Sequence, residues 1–338
     1  MSQIISFPNI TTESAVVNPV FEQHINPFQN RRVPWSGIGV PLIKRDSSGN
    51  IIEQPSCIEE AIAMCGLNWE LGLGDIYDSA GAVIPHYKAI TRVDNGKVFG
   101  ITKDKYKPIQ NIDAFGFADI LLEQGATFEC GGSYKGGERI WFLMRLPSRV
   151  YCGDEHDLFM FLMNGNNGKQ ALCAAYTTIR VACQNMAHLV RKENTYKISL
   201  QHRGDVEGKM LEAQEVMAGA KQYFDGLVHT MEELRNIKMS RTDVNRIVDG
   251  LFPYKDNASE RVKNTAVEKR HQILNIFYNA PDLQNESING YRLISAITDF
   301  ESHTEPTRRT ANFEENRLMN LVTNTMMADK VTQMLIAS

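Results

Sequence analysis

The chain has 338 residues, 43% of them hydrophobic, with a formal net charge of −4, which suits a folded protein of one large or two ordinary domains. No run approaches the roughly 18 apolar residues of a membrane span, and Met1 to Ile10 lacks the basic start and apolar core of a signal peptide, so the chain reads as cytoplasmic. Six scattered cysteines (Cys57, Cys65, Cys130, Cys152, Cys173 and Cys183) form no Cys-x-x-Cys pair and have no histidine at zinc-finger spacing, and they read as structural buried thiols.

The net charge hides an uneven distribution. Lys plus Arg against Asp plus Glu gives 4 against 9 for residues 1–85, 10 against 7 for 86–150, 6 against 4 for 151–203 and 16 against 20 for 204–338. A basic middle between acidic flanks suits a polyanion partner, although ordinary surface variation produces differences of this size too.

Residues 1–55 read as an extended arm. Five prolines (Pro8, Pro19, Pro27, Pro34 and Pro41) interrupt regular structure, while Phe7, Val16, Val17, Phe21, Ile25, Phe28 and Trp35 need burial against the chain's own domain or a neighbouring subunit. Arg31-Arg32-Val33-Pro34-Trp35 pairs two cations with a ring that either touches phosphate and base or packs under the domain.

Residues 56–203 read as an α+β core of mostly antiparallel sheet. Ser56 to Glu59 is a capping box for a helix that Gly66 stops. Strands Leu67 to Tyr77, Val83 to Val93 and Val98 to Thr102 form a meander, the last two joined by Asp94-Asn95-Gly96, whose residues supply the positive φ angles of a tight turn. A helix follows over Ile112 to Gln124 with Asn111 as N-cap, and Gly125 ends it. Ala126 to Cys130 and Arg139 to Leu146 read as strands joined by the glycine-rich loop 131–137, with Pro147 closing the second. A strand near Val150, another over Asp157 to Asn164, a turn at Gly165 to Gly168 and a strand from Ala171 to Val181 come next. The run Thr177 to Met186 then joins strand end to the start of a helix ending near Lys192, before a strand Tyr196 to His202.

From residue 204 the periodicity changes to about 3.6, and residues 204–338 read as an all-helical domain. Its helices are Val206 to Ile237, Thr242 to Leu251, Ala258 to Tyr278, Gly290 to His303 and Asn312 to Ile336. Ser240 to Asp243 starts the second with a capping-box pattern, and the methionines of the last (Met319, Met326, Met327, Met334) either pack or oligomerise.

No nucleophile, base and orienting group combine in a recognised arrangement. There is no Walker A sequence, no Gly-x-Ser-x-Gly elbow and no His-Glu-x-x-His helix, so the chain reads as a binding protein without a cofactor or metal rather than an enzyme. Asp154, Glu155, His156 and Asp157 make a polar patch; a metal-dependent nuclease would need these carboxylates to converge, and a solvated loop is the plainer reading. His202-Arg203 with Asp205 is ambiguous in the same way.

Binding has more to draw on. Lys103, Lys105 and Lys107 face one way if strand geometry continues past the hairpin, with Tyr106 opposite. Arg139, Trp141 and Arg145 share a face of the following strand, Arg180 ends another, and the loop offers Tyr134 as a ring and Lys135 as a charge. Cations interleaved with aromatics suit a single-strand groove, since cations displace counterions and each ring stacks a base for about 1–3 kcal/mol. The same pattern describes a sheet half-packed on a helix and a loop that is only a flexible hairpin tip.

These motifs resemble those of the phage/plasmid-like protein family, a domain-of-unknown-function group of bacteriophages, plasmids and prophages. The resemblance rests on Trp35-Ser36-Gly37-Ile38-Gly39, Tyr106 with Pro108 to Asn111, Gly131-Gly132 with Gly136-Gly137 and Arg139-Ile140-Trp141, Thr178 to Asn185, and His202-Arg203. It covers about residues 33–225 and departs at Ser36, where the family tends to have a histidine. It implies a mobile-element protein without an established activity. By analogy of architecture, the order of hairpin, helix and sheet is similar to the core of single-strand annealing proteins of the Rad fifty-two type, which assemble as rings around a basic groove. The expectation is a homo-oligomer that binds single-stranded DNA in recombination or replication, with no membrane partner. The alternative is a scaffold or host-defence-interacting oligomer that ignores nucleic acid.

Overall fold

A computed structural model of the chain describes residues 39–46, 48, 50–151, 154–170, 172–180, 185–187, 197–199, 206–304 and 326–337. The arm before residue 39, with its Arg31 to Trp35 run, His202-Arg203 and Met319 lie outside the described residues. The fold is α+β, with antiparallel sheets followed by a helical region.

β2 (Lys44–Arg45) and β3 (Ile51–Glu53) pair by themselves, and among the described residues the main sheet has seven strands. β1 (Val40–Pro41), β7 (Thr127–Tyr134), β8 (Arg139–Tyr151), β9 (Asp154–Gly165), β10 (Cys173–Arg180) and β11 (Asn185–Ala187) follow in that order, and β12 (Lys197–Ser199) pairs with β10 beside β11. Every pairing in this sheet is antiparallel. Both faces of its centre are buried, which explains why Leu158-Phe159-Met160-Phe161-Leu162-Met163 is continuously apolar instead of alternating. Ile140, Phe142, Met144, Met160, Leu162 and Tyr176 face the main core. Trp141, Leu143, Phe159, Phe161, Met163 and Cys173 form a second cluster on the other face.

Three expectations are corrected here. The glycine-rich stretch is mostly strand: β7 runs to Tyr134 and the turn is only four residues, because Gly131 and Gly132 pair with Phe142 and Trp141 across β8. Pro147 does not end β8, which passes it through a register shift between Leu146 and Arg149 and continues to Tyr151. Residues 185–187 are a strand pairing with Thr178–Arg180, where a helix start was expected.

Main-core helices pack on the first face. α1 (Ile58–Met64) begins one residue later than its capping-box pattern suggests, with Cys57 as N-cap, and Glu60 rather than Glu59 accepts from the Ser56 amide and hydroxyl. The single helix expected over Ile112 to Gln124 is two short ones, α2 (Asn111–Ala114) and α3 (Ala118–Glu123), which bury Phe115, Phe117, Ala118 and Leu121. Phe115 meets Phe142 edge-on with ring centroids 5.1 Å apart.

β4 (Leu71–Tyr77), β5 (Val83–Arg92) and β6 (Val98–Lys103) form a separate three-stranded meander, turned at Asp94-Asn95-Gly96 as expected, with Gly96 at φ +69°. Buried asparagines tie it to the main sheet. Asn111 donates to the Leu67 carbonyl at 2.8 Å and is not an N-cap, and Asn166 donates to the Gly137 carbonyl at 2.9 Å and approaches the Asn111 amide oxygen at 3.4 Å. Asn164 donates to Asn166 at 3.3 Å, and Asn167 to Glu138 at 2.9 Å. The β9–β10 turn thereby wedges under β6, where the Asn167 carbonyl occupies the space a side chain at Gly100 would need.

The helical region comprises α4 (Val206–Asn236), α5 (Arg241–Leu251), α6 (Glu260–Asn279), α7 (Gly290–His303) and α8 (Met327–Ala337). α4 lies on the main sheet, where the Tyr176 hydroxyl donates to the Val216 carbonyl at 2.9 Å. A full capping box joins Ser240 and Asp243 at the start of α5. Glu301 of α7 accepts from the first amides of α8, Met327 at 2.6 Å and Ala328 at 3.0 Å. Beside it Asp329 is buried, and desolvation together with the Glu301 charge pushes its carboxyl up to about 7. No helix among the described residues is long and apolar enough to cross a membrane.

Three stability tests follow from this packing. Phe142→Ala is expected to cost about 3–5 kcal/mol in urea unfolding because it leaves a void between the Phe115 and Phe128 rings, whereas Ser240→Ala costs about 1 kcal/mol through loss of the cap. Asp329 retains its proton in the folded state at pH values where the unfolded chain has released it. Its contribution is therefore complete below about pH 4 and falls as pH rises towards 7. Unfolding midpoints measured across that range decline in the parent protein and decline less in Asp329→Asn.

Candidate nucleic-acid interface

The meander β4–β5–β6 has two unlike faces. Leu71 and Ile90 point inward and are buried. The outward face carries Gly72 and Gly74 of β4, Tyr87, Ala89 and Thr91 of β5, and Val98, Ile101 and Lys103 of β6, as the pairings Gly72↔Thr91, Gly74↔Ala89, Thr91↔Val98, Ala89↔Ile101 and Tyr87↔Lys103 require. Gly72 and Gly74 put no side chains on the β4 edge of this face, and a side chain added at Gly72 would press on Val93. Tyr87 is 46% exposed and sits directly across from Lys103. Val93, Val98 and Ile101 beside them are each more than half exposed.

Strand geometry stops at Lys103. The chain turns there, with the Tyr106 amide donating to the Lys103 carbonyl at 3.0 Å, so the alternating lysine row expected from the sequence does not form. Lys103, Lys105 and Lys107 are nonetheless all exposed, now at a strand end and along the connection into α2. Tyr106 is half-buried against the β9–β10 turn, and burial raises its hydroxyl above the usual tyrosine range. At the same end His86 adopts φ +66°; its carbonyl accepts from the Asp104 amide and its Nδ1 lies 3.2 Å from the Asp104 carboxylate.

The remaining expected contacts do not join this surface. Tyr134 is buried at 6% exposure and stacks on Trp141 with centroids 6.0 Å apart, so its ring faces the protein interior and not a base. The face shared by Arg139, Trp141 and Arg145 is likewise covered: Trp141 is 1% exposed, Arg139 is half-buried, and Arg145 pairs with Asp157 at 2.5 Å. Lys135 is exposed at the turn, with φ +48° and Glu138 at 3.9 Å. That turn is pinned. Lys97 donates to the Lys135 carbonyl at 2.6 Å and the Gly136 carbonyl at 3.3 Å, and Gly137 leaves no room for a side chain against Trp69 and Phe99. Arg180 ends β10 opposite His156 and Asn185.

Asp154 to Asp157 are the first residues of β9 and not a loop. Among the described residues no group of three or more His, Cys, Asp or Glu is placed to hold a metal ion. Of the four cysteines described, Cys130 and Cys173 are buried and Cys57 and Cys65 half-buried; burial holds the Cys65 thiol up at about 12.

Residues 98–322 match the family described as Domain of unknown function (DUF932). The chain belongs to this family. The DUF932 match begins at β6, so it takes in Lys103, Lys105 and Lys107 but not β4, β5 or Tyr87. No curated protein and no solved structure matches the chain.

Tyr87 and Lys97 were legible in the sequence only as strand and turn residues. The signal for Tyr87 lay in the alternation Tyr87, Ala89, Thr91, which marks one face but not which face is wet. Gly137→Ala tests the pinned turn: with φ at +107° and two rings in the way, it is expected to lower the thermal midpoint by several degrees, whereas Gly136→Ala, at the milder left-handed φ of +64° and opposed by the Lys97 side chain instead of two rings, costs less.

Proposed function

We propose that the outward face of the β4–β5–β6 meander binds single-stranded DNA, as part of the recombination or replication apparatus of a phage or plasmid. The observation that carries this reading is the cross-strand pair of exposed Tyr87 and Lys103 on the outward sheet face, with exposed Lys105 and Lys107 immediately beyond it. A ring lying on a sheet stacks a base, and the lysines neutralise the phosphates on either side of it. Tyr134 and Arg139 have no part in this version of the interface, and Lys135 lies on the separate turn clasped by Lys97. Proteins of this kind work in the cytoplasm and need neither cofactor nor metal to bind.

A second reading draws support from the same face. Val93, Val98 and Ile101 make it largely apolar, and exposed apolar patches serve protein partners. The chain would then be an interaction or scaffold protein that does not use nucleic acid.

Fluorescence anisotropy with a labelled single-stranded oligonucleotide over a salt series separates the two. The nucleic-acid reading requires salt-sensitive binding. Replacing Lys103, Lys105 and Lys107 by alanine together should reduce the magnitude of the log–log salt slope by about 2, and Tyr87→Ala should weaken binding by about 1–3 kcal/mol. Absence of binding at low salt by a folded protein, or affinity unchanged in both variants, overturns it and leaves the protein-partner reading.

A further inference from the structure

We propose that the outer edge of β4 is a self-pairing edge that joins two copies of the chain into one continuous six-stranded sheet. The argument starts from the ladder. Val93 donates to the Glu70 carbonyl at 2.9 Å, which makes Glu70 and Val93 a hydrogen-bonded antiparallel pair. Alternation then makes Gly72↔Thr91 and Gly74↔Ala89 bonded pairs, while Leu71↔Arg92, Leu73↔Ile90 and Asp75↔Lys88 are non-bonded ones. The amide and carbonyl groups of Leu71, Leu73 and Asp75 thus point away from β5.

At Leu71 both outward groups are used. The Gln110 side chain accepts from the Leu71 amide at 2.8 Å and donates to its carbonyl at 3.0 Å, imitating one residue of a neighbouring strand. Among the described residues nothing engages the outward groups of Leu73 and Asp75. Two donor–acceptor sets two residues apart call for an extended strand.

β4 is its own complement. In an antiparallel pair centred on Gly74, Leu73 of one copy lies opposite Asp75 of the other, and all four outward groups of each strand find partners. The two Gly74 residues then meet at the non-bonded position, where antiparallel backbones come closest. Two usual protections of an edge are missing, since β4 has no lysine or proline and its one charge, Asp75, is neutralised by Lys88 at 2.6 Å; the register shift in its pairing with β5 comes only after Asp75, beyond the residues that would pair. Leu73 and Tyr77 expose apolar surface beside the edge.

Two variants of the full chain test this, and neither depends on whether DNA is bound. Light scattering should give a particle containing at least two copies of the 38.1 kDa chain. Leu73→Pro, which removes an outward donor without breaking a bond to β5, should release copies joined at this edge, lowering the mass while the far-ultraviolet circular dichroism stays unchanged. Gly74→Cys, whose new side chain would have only the Thr91 methyl near it at 3.8 Å, should form an intermolecular disulfide on mild oxidation that the parent chain does not form. A monomeric parent protein at tens of micromolar overturns the proposal. So does an assembly insensitive to Leu73→Pro that gives no Gly74→Cys crosslink.

Discussion

The knot of buried asparagines at the join between the two sheets sets the arrangement of everything beside it. Asn111, Asn164, Asn166 and Asn167 reach from α2, from the end of β9 and from the β9–β10 turn to the Leu67 carbonyl, the Gly137 carbonyl and the Glu138 carboxylate. Each hydrogen bond adds only about 1 kcal/mol net, but an unmet buried amide costs about 1–3 kcal/mol, so a shift of the segment entering the meander away from α2 would leave the Asn111 amide and the Leu67 carbonyl unsatisfied together. The penalty for misplacement, more than the gain from each bond, fixes where the small sheet sits.

Burial on both sides of the main sheet has a consequence for function. A cation or ring projecting from the centre of β8 or β9 cannot reach a ligand, because one face meets the helices and the other forms a second apolar cluster. Arg145 illustrates this: it sits on a face whose aromatic residues suggest recognition, yet it neutralises Asp157 and lies near Glu129, whose carboxyl is raised by burial against the opposing effects of Arg45 and Arg145. A buried carboxylate and a half-buried guanidinium are held together because the Asp157 charge alone would be more costly. The wet surface with both a ring and cations is displaced to the smaller sheet.

Much of the fold was legible in the sequence because it rests on local signals. Asp94-Asn95-Gly96, the Ser240–Asp243 box and the helices from Val206 onward are each set by turn chemistry, capping or periodicity. Arg139, Trp141 and Arg145 were read as a binding face because period-2 alternation places residues on one side of a strand but does not say what lies against that side. The strand at 185–187 was missed for a related reason, since three residues carry too little pattern to outweigh the run around them. Asn166 and Asn167 read as ordinary turn residues; their partners, Asn111 for Asn166 and Glu138 for Asn167, lie 55 and 29 positions away, and no local rule connects them.

The two surfaces of the meander are geometrically compatible. Strand addition at β4 uses main-chain groups lying in the plane of the sheet, whereas Tyr87 and Lys103 project perpendicular to it. Pairing at the edge therefore leaves the outward face open and sets two such faces side by side across a two-fold axis. The twist of a continuous sheet rotates one face relative to the other, which suits a flexible polymer better than a rigid one. A single strand can follow the rotation at little cost, while a duplex would have to bend to stay in contact with both faces. The preference for single strands would then come from the shape of the paired sheet, with the lysines supplying affinity that is blind to sequence.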